Sequence, residues 1–181
     1  MEVENLIIHC TATPEGRSVS KSELMSWFTD PAPKGKGWSK PGYRTMIHVD
    51  GSSSDLLDYN NDNNLEWSEV TYGAKGFNSN SIHITYVGGV RKDNIKIPKD
   101  TRTDEQKRTL RAQVEYYLGY YPNIKIFGHY RINKYKACPS FDTDNWLKSL
   151  DIPERNIGID AKIMPLNLPV KDTGFFDFNI E

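Results

Sequence analysis

The chain has 181 residues, of which 26% are charged, and a formal net charge of −1. That is enough for one domain with a full core and too little for two ordinary ones. The near-neutral balance excludes a polyelectrolyte partner for the molecule as a whole, so no nucleic acid is expected. No apolar stretch reaches membrane-spanning length, and two cysteines exclude a disulfide framework.

Residues 3–9 read as a buried strand whose apolar run, Leu6-Ile7-Ile8, delivers His9 at its end. The segment ahead of it is acidic and the run itself short. No signal peptide is therefore read there, and a soluble product made in the cytoplasm is expected. Cys10, next to His9, should point to the opposite side of the strand as a small buried core residue. Ser20-Lys21-Ser22-Glu23 has the form of a capping box, and Leu24, Trp27 and Phe28 give the helix behind it one apolar face. The Pro- and Gly-rich segment 30–37 ends that helix in a loop. Tyr43 to Val49 alternates as a half-buried strand, and Asp50-Gly51 turns it into a hairpin with a partner at 56–59.

Ser81 to Val87 reads as a further strand, stopped by Gly88-Gly89. Residues 91–136 carry twelve Lys or Arg against five acids, which reads as a solvated helix with its flanking loops. Within them Thr103-Asp104-Glu105-Gln106 caps the longest helix, running to about Gly119 with Leu110, Val114 and Leu118 as its buried stripe. Residues 124–128 form another core strand and deliver His129. Asp144 to Leu150 reads as a short helix with Trp146 inward. Residues 151–181 are broken by Pro153, Pro165 and Pro169 and end in Phe176, Phe178 and Ile180 at period two, as an extension packed back on the domain at a sheet edge. The fold class expected is α+β in three layers, a mixed central sheet flanked by helices over residues 1–150.

Two imidazoles at strand ends, His9 and His129, and a thiolate on the following loop, Cys138, are three candidate ligands for a tetrahedral zinc with a fourth position left to water. The H-x8-C spacing is too long for a zinc-finger half-site. His48 and His83 lie inside the expected strands, and either would close the site if it approached.

Ile7-Ile8-His9-Cys10-Thr11-Ala12-Thr13, Gly42-Tyr43, Ala74 to Ile82, Val87-Gly88-Gly89, His129 and Lys136-Ala137-Cys138-Pro139-Ser140-Phe141-Asp142 occur in an order that resembles a known family. The chain is similar over about residues 5–150 to the zinc-dependent N-acetylmuramoyl-L-alanine amidases of the bacteriophage lysozyme and peptidoglycan-recognition-protein superfamily. The resemblance implies that fold, zinc held by His9, His129 and Cys138, Tyr43 as the catalytic tyrosine and Lys136 as a lysine near the metal. It implies cleavage of the amide between N-acetylmuramic acid and L-alanine in peptidoglycan by zinc-activated water, with positive charge at Lys136 for the oxyanion and the Tyr43 phenol for proton transfer. Combined with the absence of a signal peptide, it implies a monomeric phage endolysin that reaches the wall after release.

One position departs from the pattern: phage relatives commonly carry histidine where this chain has Gly73. Three other functions compete with the endolysin: a recycling amidase acting on soluble muropeptides, a binding module without catalysis, and a metal-free cysteine hydrolase. Binding-only members characteristically lose the cysteine that this chain keeps at 138. A thiol nucleophile at Cys10 or Cys138 would need a paired, oriented base, and no cysteine-peptidase signature surrounds either.

Overall fold

The computed structural model describes residues 1–60 and 62–158. In chain order the strands and α-helices are β1 (Asn5–Cys10), β2 (Thr13–Pro14), α1 (Lys21–Thr29), β3 (Thr45–Ile47), β4 (Ser53–Asp55), β5 (Ser81–Tyr86), β6 (Gly89–Val90), α2 (Asp104–Tyr120), β7 (Lys125–Gly128) and α3 (Thr143–Lys148). Five of the described strands form one mixed sheet in the order β4-β3-β5-β1-β7. β3, β5, β1 and β7 run parallel, and β4 returns antiparallel at the edge. β2 and β6 make a separate short parallel pair.

β1 is central: β5 lies on one side, β7 on the other, and all six of its residues are buried. A strand covered on both faces needs apolar side chains in succession, which is why Leu6-Ile7-Ile8 is a run and not an alternation. One face carries Leu6, Ile8, Cys10, Ile82, Ile84, Tyr86 and Ile126 into a core with Leu110, Val114 and Tyr117 of α2 and Leu147 of α3. On the other, Ile7 and Phe127 pack with Ala74 and Phe77 of the loop before β5, while Met46 meets Leu24 and Phe28 of α1. Helices and loops thus cover both faces of a mixed sheet, the α+β arrangement expected.

α2 begins at a complete capping box, with Thr103 Oγ1 accepting from Gln106 N and Gln106 Oε1 from Thr103 N. Gln106 also donates from Nε2 to Val87 O at 2.9 Å, so one buried side chain joins the helix start to the end of β5. At α1 only half a box forms: Ser20 accepts from Glu23 N, but the Glu23 carboxylate pairs with Arg17 at 2.6 Å instead of returning to the cap.

Other local expectations need correcting. The strand expected over Tyr43 to Val49 is confined to Thr45–Ile47 and does not alternate, because Met46 is covered by α1 on one face and Ile47 lies in the α2 core on the other. Its hairpin partner lies at Ser53–Asp55, earlier than 56–59. The α2 stripe gains Tyr117, which is buried, while Leu118 packs partly buried against the same core, and in α3 Leu147 is fully buried while Trp146 packs at the margin against Phe141. Past α3, Ile157 bridges Ile126 in parallel and Asn156 Nδ2 donates to Ile124 O at 2.9 Å, so the chain reaches the β7 edge of the sheet. The expected edge strand at Phe176, Phe178 and Ile180 lies outside the described residues. Among the described residues no helix is long and apolar enough to cross a membrane.

Candidate metal centre

In a parallel sheet the carboxyl ends of the strands share one edge, and side chains just past them converge there. β1 ends with His9 and Cys10, whereas β7 stops at Gly128, opposite Ile8, one row short of His9. The edge beside the last residues of β1 is thereby left open, and Cys138 enters it: Cys10 N donates to Cys138 Sγ at 3.3 Å, where a longer β7 would have offered a carbonyl. His129 begins the 3-10 turn that carries the chain away from β7.

The loop bearing Cys138 is fixed from several sides. Tyr130 N donates to Cys138 O at 2.9 Å, and the buried Tyr86 hydroxyl donates to Pro139 O at 2.7 Å. Thr143 Oγ1 accepts from Gly128 N at 3.0 Å. Gly128 has no space for a side chain, since a Cβ there would lie 2.6 Å from Pro139 Cδ and 2.7 Å from Tyr130. Phe141, three residues past the cysteine, is held under the guanidinium of Arg102 at 3.2 Å.

His9, His129 and Cys138 come together as the sequence expected: one ligand atom from each lies within 4.8 Å of the others, a group able to hold a metal ion. His9 Nδ1 is 3.7 Å from Cys138 Sγ. His9 is fully buried, and its ring meets those of His129 at 4.7 Å and Tyr43 at 4.9 Å. Tyr43 also stands edge-on to Phe28, which stacks on Trp38, and Trp38 meets Tyr72. Lys136 is half-buried on the loop two residues before Cys138. His48 does not approach: it follows β3 and bonds to Ser54 Oγ at 2.8 Å. His83 does approach, but behind the ligands, with Nδ1 3.0 Å from His9 Nε2.

Burial sets the protonation states of the three candidate ligands. Burial holds His9 well below the ordinary imidazole value, with His129, His83 and Lys136 adding to it. Burial, then Lys136, brings His129 down to about 4. Both imidazoles are therefore neutral at pH 7, the form that can present a lone pair to a metal. Burial pushes the Cys138 thiol well above its usual range, and Cys10 beside it acts the same way. A thiolate there needs a metal beside it, which supplies the charge that burial withholds. The Tyr43 phenol is also raised well above its usual value, by burial and then by the thiol groups of Cys138 and Cys10, so it stays protonated. Lys36, over Trp38 at 5.2 Å, is lowered by burial and by Lys136, which puts two ammonium groups on this side of the molecule.

Two residues here escaped the sequence reading as parts of the site. Trp38 and Lys36 fall in and just past the loop after α1, where composition marks only irregular structure. His83 was read as a strand histidine able to close the site, and it stands behind His9 instead. It also accounts for Gly73, since a Cβ at position 73 would lie 2.5 Å from His83 Nδ1.

The depressed histidines have a consequence for the metal-free protein. His83 is down to about 3, by burial first and then His129. Below the unfolded value of about 6.5 the unfolded chain takes up protons that the folded one refuses, so stability falls as pH falls. The loss should run from about pH 6.5 toward 4, at up to about 1.4 kcal/mol per pH unit for each fully buried histidine. Urea unfolding of chelator-treated protein at successive pH values would show the slope, and a flat profile there would contradict it.

The model of the N-acetylmuramoyl-L-alanine amidase family matches residues 1–141. An endolysin of Enterobacteria phage K11 is 32% identical over 148 residues, covering 82% of this chain and 87% of that protein. The endolysin of Escherichia phage T7 is 32% identical over 143 residues, covering 78% and 83%. Among solved structures, Drosophila PGRP-LB has a TM-score of 0.62 at 16% identity, covering 85% of this chain and 84% of its own. The amidase LysC from Clostridium intestinale has a TM-score of 0.59 at 20% identity, covering 84% and 88%. At those identities the two structures speak for the fold.

Proposed function

The chain belongs to the N-acetylmuramoyl-L-alanine amidase family and hydrolyses that amide of peptidoglycan, and we propose that it does so with zinc held by His9, His129 and Cys138, as a phage endolysin. One spacing carries the zinc reading. With Zn–N near 2.0 Å and Zn–S near 2.3 Å, a tetrahedron sets the two ligand atoms about 3.6 Å apart, and His9 Nδ1 stands 3.7 Å from Cys138 Sγ. A set of three protein ligands is the pattern of catalytic rather than structural zinc.

Zinc, when bound, supplies a Lewis acid that activates water and polarises the scissile carbonyl. The remaining work falls to side chains of the chain itself. The protonated phenol of Tyr43, packed on His9, is the donor available to the departing amine of L-alanine. Lys136, whose charge already reaches His9 and His129, offers its ammonium to the oxygen that gains negative charge as the carbonyl is attacked. The endolysin role is supported by relatives of that name at 32% identity over most of the chain.

Incubation with intact sacculi should release peptides bearing new N-terminal L-alanine and leave the glycan strands uncut. No new alanine termini would overturn the proposal. Cleavage of soluble muropeptides with sacculi left untouched would replace the endolysin by a recycling amidase.

A further inference from the structure

Resting on the ligand assignment just proposed, we infer that His83 is a positioning residue of the metal centre: its Nδ1 accepts the hydrogen bond that decides which nitrogen His9 turns to the metal. The two nitrogens of His9 have different neighbours, Cys138 Sγ at 3.7 Å from Nδ1 and His83 Nδ1 at 3.0 Å from Nε2. A neutral imidazole carries one proton, and a ligating nitrogen must present its lone pair. With Nδ1 on the metal, the His9 proton sits on Nε2 and points at His83, whose Nδ1 must accept it. The opposite polarity, with His83 donating, would place the His9 proton on Nδ1 and block ligation.

The surroundings leave His83 little else to do. β5 pairs with β1 so that His83 lies level with Ile7, one step back from the ligand on the same face of the sheet. Its lateral neighbours on that face, Ile7 and Phe127, are apolar and fully buried, and His83 is fully buried beside them. Once Nδ1 accepts, the His83 proton is on Nε2, a buried atom without a hydrogen-bond partner among the described residues. An orphan buried N–H is destabilising, so a side chain serving only to fill this space would be better aliphatic. The ring is also held against turning, because Gly73 closes on it so tightly that a Cβ there would lie 2.5 Å from Nδ1 and 2.6 Å from Cγ. Glycine at 73 and histidine at 83 form one unit, the first making room for the second.

Zinc affinity of the full chain, measured by competition with a chromophoric chelator, tests this. Loss of an outer-shell partner weakens metal binding about 10–100-fold, and that rise in dissociation constant is expected for His83→Leu. His83→Asn places an acceptor oxygen at the same bond count from Cα and should restore affinity to within about threefold of wild type. The visible spectrum of the cobalt-substituted protein should shift in His83→Leu and return in His83→Asn, a signature that a packing defect alone would not produce. Where His83→Leu fails to fold, His83→Ala takes its place with the same expectation. Wild-type affinity in the variant without an acceptor, or equal weakening of that variant and His83→Asn, would overturn the inference. A wild-type chain that binds no zinc, or a Cys138→Ser variant that binds it fully, would instead overturn the ligand assignment.

Discussion

Cys138→Ser is expected to yield a folded protein that no longer holds zinc, with hydrolysis of sacculi reduced more than about a thousandfold, at the upper end of what removal of one preorganised electrostatic group costs. The cause is charge as much as geometry. The serine hydroxyl fits the space, and Cys10 N can still donate to it as it does to Sγ at 3.3 Å. It does not ionise to supply the negative ligand that two neutral imidazoles lack. A second readout comes from stability. Ligand present at a thousand times its dissociation constant stabilises the fold by about 4 kcal/mol, or roughly 10 °C in melting temperature for a chain of this size. A chelator should therefore lower the melting temperature of the wild type by that amount and leave Cys138→Ser unmoved. Cys10→Ser should keep most of the activity, because Cys10, although it packs beside Cys138, belongs to the buried core and is not one of the three candidate ligands. A metal content of one per chain surviving in Cys138→Ser, or activity lost with Cys10 and indifferent to chelator, would sink the zinc centre and favour a thiol nucleophile.

The two candidate histidine ligands were legible because each follows a local signal. An apolar run too short for a helix and flanked by polar residues gives β1 and β7, and a strand ends where its apolar run ends, which puts His9 and His129 at the sheet edge. Cys138 has no such run before it and was found through its motif. What sequence cannot give is register across strands distant along the chain. His83 becomes the neighbour of His9 only because β5 and β1 pair in parallel with Ile7 level with His83, and nothing within either segment encodes that offset. Tertiary cover likewise made β3 differ from its reading: its alternation is real in sequence, but α1 over Met46 and the α2 core around Ile47 bury both of its faces. Gly73, a departure when compared position by position, is accounted for once the His83 ring is seen in the space its side chain would fill.

The open edge of the sheet explains why one loop carries both the candidate ligand Cys138 and the charge of Lys136. Because β7 stops at Gly128, the segment from His129 to Cys138 must turn back to reach β1, and Lys136 lies on that return. Lys136→Met should therefore lower kcat by about 10²–10³-fold, the loss typical of removing one group that stabilises a developing oxyanion. KM should stay nearly constant, since the role proposed for the ammonium is on charge that exists only in the transition state. Zinc affinity supplies the discriminating sign. The Lys136 ammonium depresses His129 and His9, which means that it repels positive charge at the ligands, and it repels a bound cation equally. Its removal should leave zinc affinity unchanged or slightly higher. A catalytic loss with zinc retained, partly recovered in Lys136→Arg, would mark a group acting on the substrate oxygen. Parallel loss of zinc and activity would mean that Lys136 only shapes the loop on which Cys138 sits.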